Sequence, residues 1–228
     1  MSPSPSPHVR DPLAEALFPV LVHRMNNATQ ILTTLGAVLD AGLEDALLEG
    51  SSEDLAGASH DVRELGWLLG VLASAGGANL LLERRERSGL DIVMRAVRDA
   101  LRREGRDLAE APAEDALPAL VADVADGWQV PWAIASTLYV AGSATSPGTM
   151  LSWKIDTLDA SWSLSCSWPQ DTAPKEASVQ ESALATRIAA ELPGARLDRS
   201  DQELRLRLPE TALRSASVRQ NGQNGQNG

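Results

Sequence analysis

Leu21-Val22-His23-Arg24-Met25-Asn26-Asn27-Ala28-Thr29-Gln30 lies inside a run whose apolar residues return every three or four positions. Leu13, Leu17, Leu21, Ala28, Ile31, Leu32, Leu35, Val38 and Leu39 carry that period. It belongs to a helix with one apolar side. With Leu21, Ala28 and Leu35 at the seam centre, His23 and Gln30 fall about 150° away and Asn27 about 100° away. The histidine therefore faces solvent. Asp11-Pro12 marks the helix start, an N-cap followed by a residue suited to the first helical position. Pro19 removes one backbone hydrogen bond and predicts a kink one turn before His23.

Gly42, Gly50 and Ser51-Ser52 predict a turn, and Ser51 with Asp54 predicts the cap of a second helix. Leu55, Val62, Leu65, Leu69 and Leu72 give that helix its apolar stripe. Two such helices joined by a short connection form an antiparallel hairpin. A lone hairpin buries too little surface, and pairing two as a four-helix bundle solves this, so a homodimer is expected. A turn centred near residue 47 would put about residue 71 level with His23. Ala73, Gly76 and Gly77 would then form a low surface on which a partner reaches the histidine. The glycine pair reads equally well as a kink or a close helix contact.

Downstream, the pattern predicts a helix from Ser88 to Gly105, an acidic loop over 111–118, a short strand over 120–124 and an apolar helix over 131–142. Residues 150–155 and 161–168 read as an antiparallel strand pair, with Trp162, Leu164, Cys166 and Trp168 alternating onto one face. A helix over 182–192 and a closing strand pair, 195–197 with 203–208, complete the chain. Trp153, Trp162 and Trp168 are expected to pack between layers. The fold class is α+β: a hairpin over residues 11–87 and an α/β module over 88–214, with disordered tails at 1–10 and 215–228.

A net charge of −11 argues against a general nucleic-acid binder, which needs clustered Lys and Arg to displace counterions. Cys166 is the single cysteine and cannot form an internal disulfide, in keeping with a reducing compartment. No apolar run approaches the roughly 20 residues that span a bilayer. Met1 to Pro7 lacks the apolar core of a signal peptide. The expected location is cytoplasmic, away from membranes.

His23-Arg24 with Asn26-Asn27, followed by this order of elements, resembles the histidine-kinase superfamily of two-component signalling. In that family a dimerising hairpin carries the phosphorylated histidine and an ATPase-type α/β sandwich follows. The box here is similar to the His-Arg-x-x-Asn-Asn variant. Residues 131–138 resemble the helix that bears the nucleotide-site asparagine, and 185–209 the family's last helix and strands. The likeness spans about residues 11–210. The family's nucleotide chemistry is missing: Tyr139 or Val140 stands where the magnesium-binding asparagine belongs, no Asp-x-Gly-x-Gly occurs, and 169–181 contain no glycine. A triphosphate needs donors, close backbone and a metal ligand.

The resemblance therefore implies a histidine phosphotransferase with a degenerate kinase-like second domain and no autokinase activity. His23 would be the phosphoacceptor, supported by Asn27 and Arg24, with Asn26, Gln30, Ala73, Gly76 and Gly77 meeting the partner. Response-regulator receiver domains would be the partners. No cofactor of its own is implied; magnesium would sit on the receiver. An exposed imidazole has a neutral, nucleophilic form at physiological pH, and the receiver supplies most of the phosphoryl chemistry. Two alternatives stay open. His60-Asp61-Val62-Arg63-Glu64 imitates the commoner acidic form of the box. The protein could also be a non-catalytic dimeric scaffold, a pseudokinase that only binds response regulators.

Overall fold

The computed structural model describes residues 11–40, 44–76, 89–110, 129–158, 161–169, 174 and 176–209. Two long helices, α1 (Pro12–Asp40) and α2 (Glu44–Ala75), form the N-terminal hairpin. After them come α3 (Gly89–Arg103), β1 (Asp107–Leu108), α4 (Gln129–Ser143), β2 (Met150–Leu158) and β3 (Ser161–Ser167). The last elements are α5 (Val179–Glu191), β4 (Arg196–Arg199) and β5 (Glu203–Pro209). This is the α+β architecture read from the sequence. Expectations for 1–10, 111–128, Gly77, Ser88 and 215–228 fall outside the described residues.

The cap at Asp11 forms as expected, its Oδ1 accepting from the backbone N–H of Leu13 at 2.9 Å and Ala14 at 3.3 Å. The hairpin turn differs. Helix α1 ends at Asp40, and α2 begins at Glu44 and runs straight through Gly50 and Ser51-Ser52, so the expected turn centre near residue 47 is helical. One interior glycine costs about 1 kcal/mol, which a helix of 32 residues absorbs. Nor do two glycines interrupt α2: the helix stops at Ala75, and Gly76 is already in the turn beyond it. Pro19 is accommodated within α1.

The five strands run in the order β1-β2-β3-β5-β4, with β1 parallel to β2 and every other pair antiparallel. The predicted strand pairs are present, with Trp153 opposite Cys166 and Leu164 opposite Leu206. Leu151, Trp162, Leu164, Cys166, Leu204, Leu206 and Leu208 are buried. Alternation along β3 and β5 turns Ser165 and Arg205 to the opposite face, where the guanidinium donates to Ser165 Oγ at 3.0 Å and to Glu203. Those bonds outweigh burial and hold the Glu203 carboxyl below the usual carboxylate range. The sequence missed β1, two residues long. It is set by the end of α3, where Gly105 takes a positive φ of 74° and Arg106 N–H reaches back to Leu101 O at 2.9 Å.

The three tryptophans are buried between layers, and their ring N–H groups find carbonyls where they need them: Trp153 donates to Ala109 O and Trp168 to Ala141 O, both at 3.0 Å. Helix α5 starts three residues earlier than its apolar pattern predicts, because Ser178 Oγ accepts from Glu181 N–H at 3.0 Å. That Ser-x-x-Glu cap was legible in the sequence. One apolar core runs from Leu13, Leu17 and Leu21 through Leu68 and Val71 to Ile92, Val97, Leu138 and the sheet. It crosses the boundary drawn at residues 87 and 88. Among the described residues, no helix is long and apolar enough to cross a membrane.

Hairpin and sheet meet at Arg187 of α5. Its guanidinium donates to Asp11 Oδ2 at 2.8 Å, to Ala75 O at 2.6 Å and to Ser74 O, and lies 4.1 Å over the Trp132 ring. Trp132 Nε1 donates to the same Asp11 oxygen at 3.0 Å. One side chain thus satisfies terminal carbonyls of α2 and the cap residue of α1. Arg187→Ala is expected to destabilise the protein by about 2–3 kcal/mol, since it strands a largely buried carboxylate and two carbonyls. Arg187→Lys should recover less than half, lacking the planar fork. Urea midpoints at constant m-value check this.

Candidate functional site

His23 sits on the outer side of α1 and is exposed, together with Asn26, Asn27 and Gln30. The Asn27 amide nitrogen lies 3.4 Å from His23 Nε2 across one helical turn. A hydrogen bond donated by that amide requires the tautomer with its proton on Nδ1 and the lone pair on Nε2. At 3.4 Å it is longer than a normal N–H donor bond, so the ring is steered without being locked.

The histidine opens onto a recess of about 440 Å³ that α1 forms with α2 and α3. His23, Arg24 and Asn27 contribute from α1, Asp61 from α2, and Asp99, Arg102 and Arg103 from the last turns of α3. Cations in the last turn of a helix are favoured by its dipole, and the Gly105 turn that ends α3 there fixes both arginines beside the hairpin. Arg102 is held by Asp107 at 3.0 Å. Arg103 is exposed and has no ion-pair partner among the described residues.

Arg24 reaches from the recess toward the core. Its guanidinium pairs with Glu64 of α2 and stands 3.8 Å from Asp99. Glu64 is buried, and it also takes Arg95 of α3 at 2.7 Å and His60, one turn back on α2, at 3.0 Å. His60, the rival acceptor, is therefore hydrogen-bonding a buried carboxylate. Glu64 was missed from sequence, yet the signal was there. It falls on the same three–four spacing as Trp67, Leu68, Val71 and Ala75, and a carboxylate on the core face of a helix demands partners from neighbouring elements.

The structure does not bring Ala73 and Gly76 to His23. With α1 ending at Asp40 and α2 starting at Glu44, about residue 61 is level with the histidine, and Ala73 and Gly76 lie roughly 18–22 Å further along α2. They belong to the Arg187 joint instead, beside Ser74 and Ala75. The predicted level at residue 71 came from misplacing the turn by about five residues, which an antiparallel hairpin doubles. The positions matching the kinase asparagine are both buried in α4. Tyr139 donates to Glu104 Oε1 at 2.7 Å, and burial, reinforced by that carboxylate, pushes its phenol above the usual range. Val140 faces a different cavity. Among the described residues no group of three His, Cys, Asp or Glu is placed to hold a metal.

A second feature of α1 surrounds neither site. Phe18, Val22, Met25 and Leu32 are 38–60% exposed, and so are Val62 and Leu69 of α2, at 51% and 43%. Their four–three spacing makes an outward apolar stripe, distinct from the inward seam of Leu17, Leu21 and Ala28.

No protein-family profile matches the chain, and comparison with curated proteins finds no relative. Among solved structures, the Acinetobacter baumannii histidine kinase AdeS aligns over 79% of this chain and 95% of its own, with 14% identity and a TM-score of 0.37. A bacterial phosphotransferase aligns over 89% of this chain and 98% of its own, with 16% identity and a TM-score of 0.33.

Glu64→Ala is expected to cost about 2–3 kcal/mol and Arg24→Ala about 1–2 kcal/mol. The double variant should fall short of the sum by at least about 1 kcal/mol, because each change removes the other's partner. Equilibrium unfolding of the four proteins measures the coupling.

Proposed function

We propose that the protein is a histidine phosphotransfer protein of a two-component relay, in which His23 exchanges a phosphoryl group with receiver-domain aspartates without using ATP. The observation that carries this reading is the setting of His23. It is an exposed imidazole on a helical hairpin, its Nε2 facing the Asn27 amide, beside a recess lined by Arg103, which has no ion-pair partner among the described residues. The acceptor-box resemblance of residues 23–27 points the same way.

In the forward step Nε2 attacks the phosphorus of the receiver's aspartyl phosphate. The P–O bond to the aspartyl oxygen breaks, the carboxylate is restored, an N–P bond forms, and Nδ1 loses its proton to water. Asn27 must turn aside for the attack, which its long contact permits. Arg103, with Arg102 behind it, neutralises the incoming charge. Arg24 acts as a positioning residue, fixing the rotation of α1 through Glu64. Asn26 and Gln30 are free to contact the receiver, which brings the magnesium.

Acid-labile phosphate should pass from acetyl phosphate-charged receiver domains to the wild type and to His60→Ala, and not to His23→Ala. Arg103→Ala should slow transfer about tenfold with its unfolding midpoint unchanged. If no receiver in a broad panel labels the wild type, the relay reading fails and the scaffold reading replaces it. Label lost in His60→Ala alone would move the site to α2.

The outward stripe supports a homodimer through the hairpin. Both helices contribute to it at heptad spacing, as a self-complementary two-fold interface requires. Light scattering should give twice the chain mass for the wild type and a monomer for Val22→Glu/Met25→Glu. A wild type that stays monomeric at micromolar concentration would sink the dimer.

A further inference from the structure

A cavity of about 560 Å³ lies where the first turn of α1 meets α4 and α5. It is separate from the His23 recess: Asp11 to Glu15 precede the histidine by roughly 12–18 Å of helix. Leu13, Val140 and Leu184 give it apolar walls, and Ser136 of α4 stands in the wall between them. Ser136 is 2% exposed, and its Oγ is buried with no hydrogen-bond partner among the described residues. A buried hydroxyl left unpaired costs about 1–3 kcal/mol, and it turns about a single bond to meet a donor or an acceptor.

The charges at the rim exclude an anion. Arg187 is the cation there, and its N–H groups are already directed to Asp11, Glu191 and the carbonyls of Ser74 and Ala75. Asp11 and Glu15 add negative charge at the mouth. A phosphate would meet carboxylates and no free donor charge. The volume suits a small organic molecule.

We propose that this cavity is a binding site for a neutral, mostly apolar small molecule carrying one hydrogen-bonding group, which Ser136 recognises. Such a ligand would rest on Leu13 and the Asp11–Arg187 pair, and so would tighten the joint between hairpin and sheet.

N-phenyl-1-naphthylamine is a fitting probe, being neutral, apolar, equipped with one N–H, and fluorescent when shielded from water. The full chain should bind it at one equivalent, with saturable enhancement and a raised melting temperature. Ala183, exposed on α5 at the cavity edge, can be enlarged without disturbing the core. Ala183→Trp should abolish binding while circular dichroism stays unchanged, and Ser136→Val should weaken it about 5–10-fold, the loss of one neutral hydrogen bond. Binding untouched by either variant, or lost instead in Met25→Glu, would place the probe on the α1 stripe and overturn the proposal. So would the absence of enhancement, or displacement by magnesium-ATP at comparable affinity.

Discussion

A carboxylate taken out of water among three helices must be neutralised by those helices, and Glu64 is in that position. Its partners come from α1, α2 and α3 together: Arg24, His60 and Arg95. The desolvation cost of the carboxylate is several kcal/mol, so the arrangement is tolerated only where all the partners arrive. This makes Glu64 a device for register more than for stability. Slide α1 by one turn against α2 and Arg24 leaves the carboxylate. Rotate α1 and His23, the residue before Arg24, leaves its recess.

The second tie, at Arg187, acts on the open end of the hairpin. Asp11 caps α1 and Ala75 ends α2, and one guanidinium touches both while stacked on Trp132 of α4. Stacking and a planar donor fork are properties of arginine that lysine lacks. Between the two ties runs a continuous apolar core, so the hairpin is packed against α3 and α4 from Leu13 to Leu21 on α1 and from Trp67 to Ala75 on α2. The histidine is consequently displayed on a body that does not rely on the hairpin alone for its shape.

Most elements were legible because their periods are strong. The alternation Trp162, Leu164, Cys166 read as a strand and is one, and the Asp11-Pro12 cap read as a helix start and is one. Errors arose where local chemistry and packing disagree. Gly50 and Ser51-Ser52 look like a turn, yet α2 absorbs them, and that shift carried Ala73 and Gly76 away from His23. Two apolar stripes lie on α1, and the sequence reading traced the inward one: Leu17 and Leu21 go inward, whereas Phe18, Val22 and Met25, which it left out, go outward together with Leu32, which it counted inward. Arg102, Arg103 and Asp99 could not be assigned to the histidine from sequence, since a long-range contact between α1 and α3 puts them there.

The separation of those stripes has a consequence for any chemistry at His23. At about 100° per residue the outward stripe of α1 centres roughly 140° from His23, and the inward seam lies on the remaining side of the helix. One helix thus has three faces, for its own core, for an apolar neighbour and for the histidine. A second copy seated on the stripe would leave both histidines and both Arg103 side chains open to an incoming receiver. Had the exposed apolar residues fallen beside His23 instead, covering them would have hidden the imidazole. The placement of Phe18, Val22 and Met25 would therefore allow the proposed association and phosphoryl exchange to share a single helix.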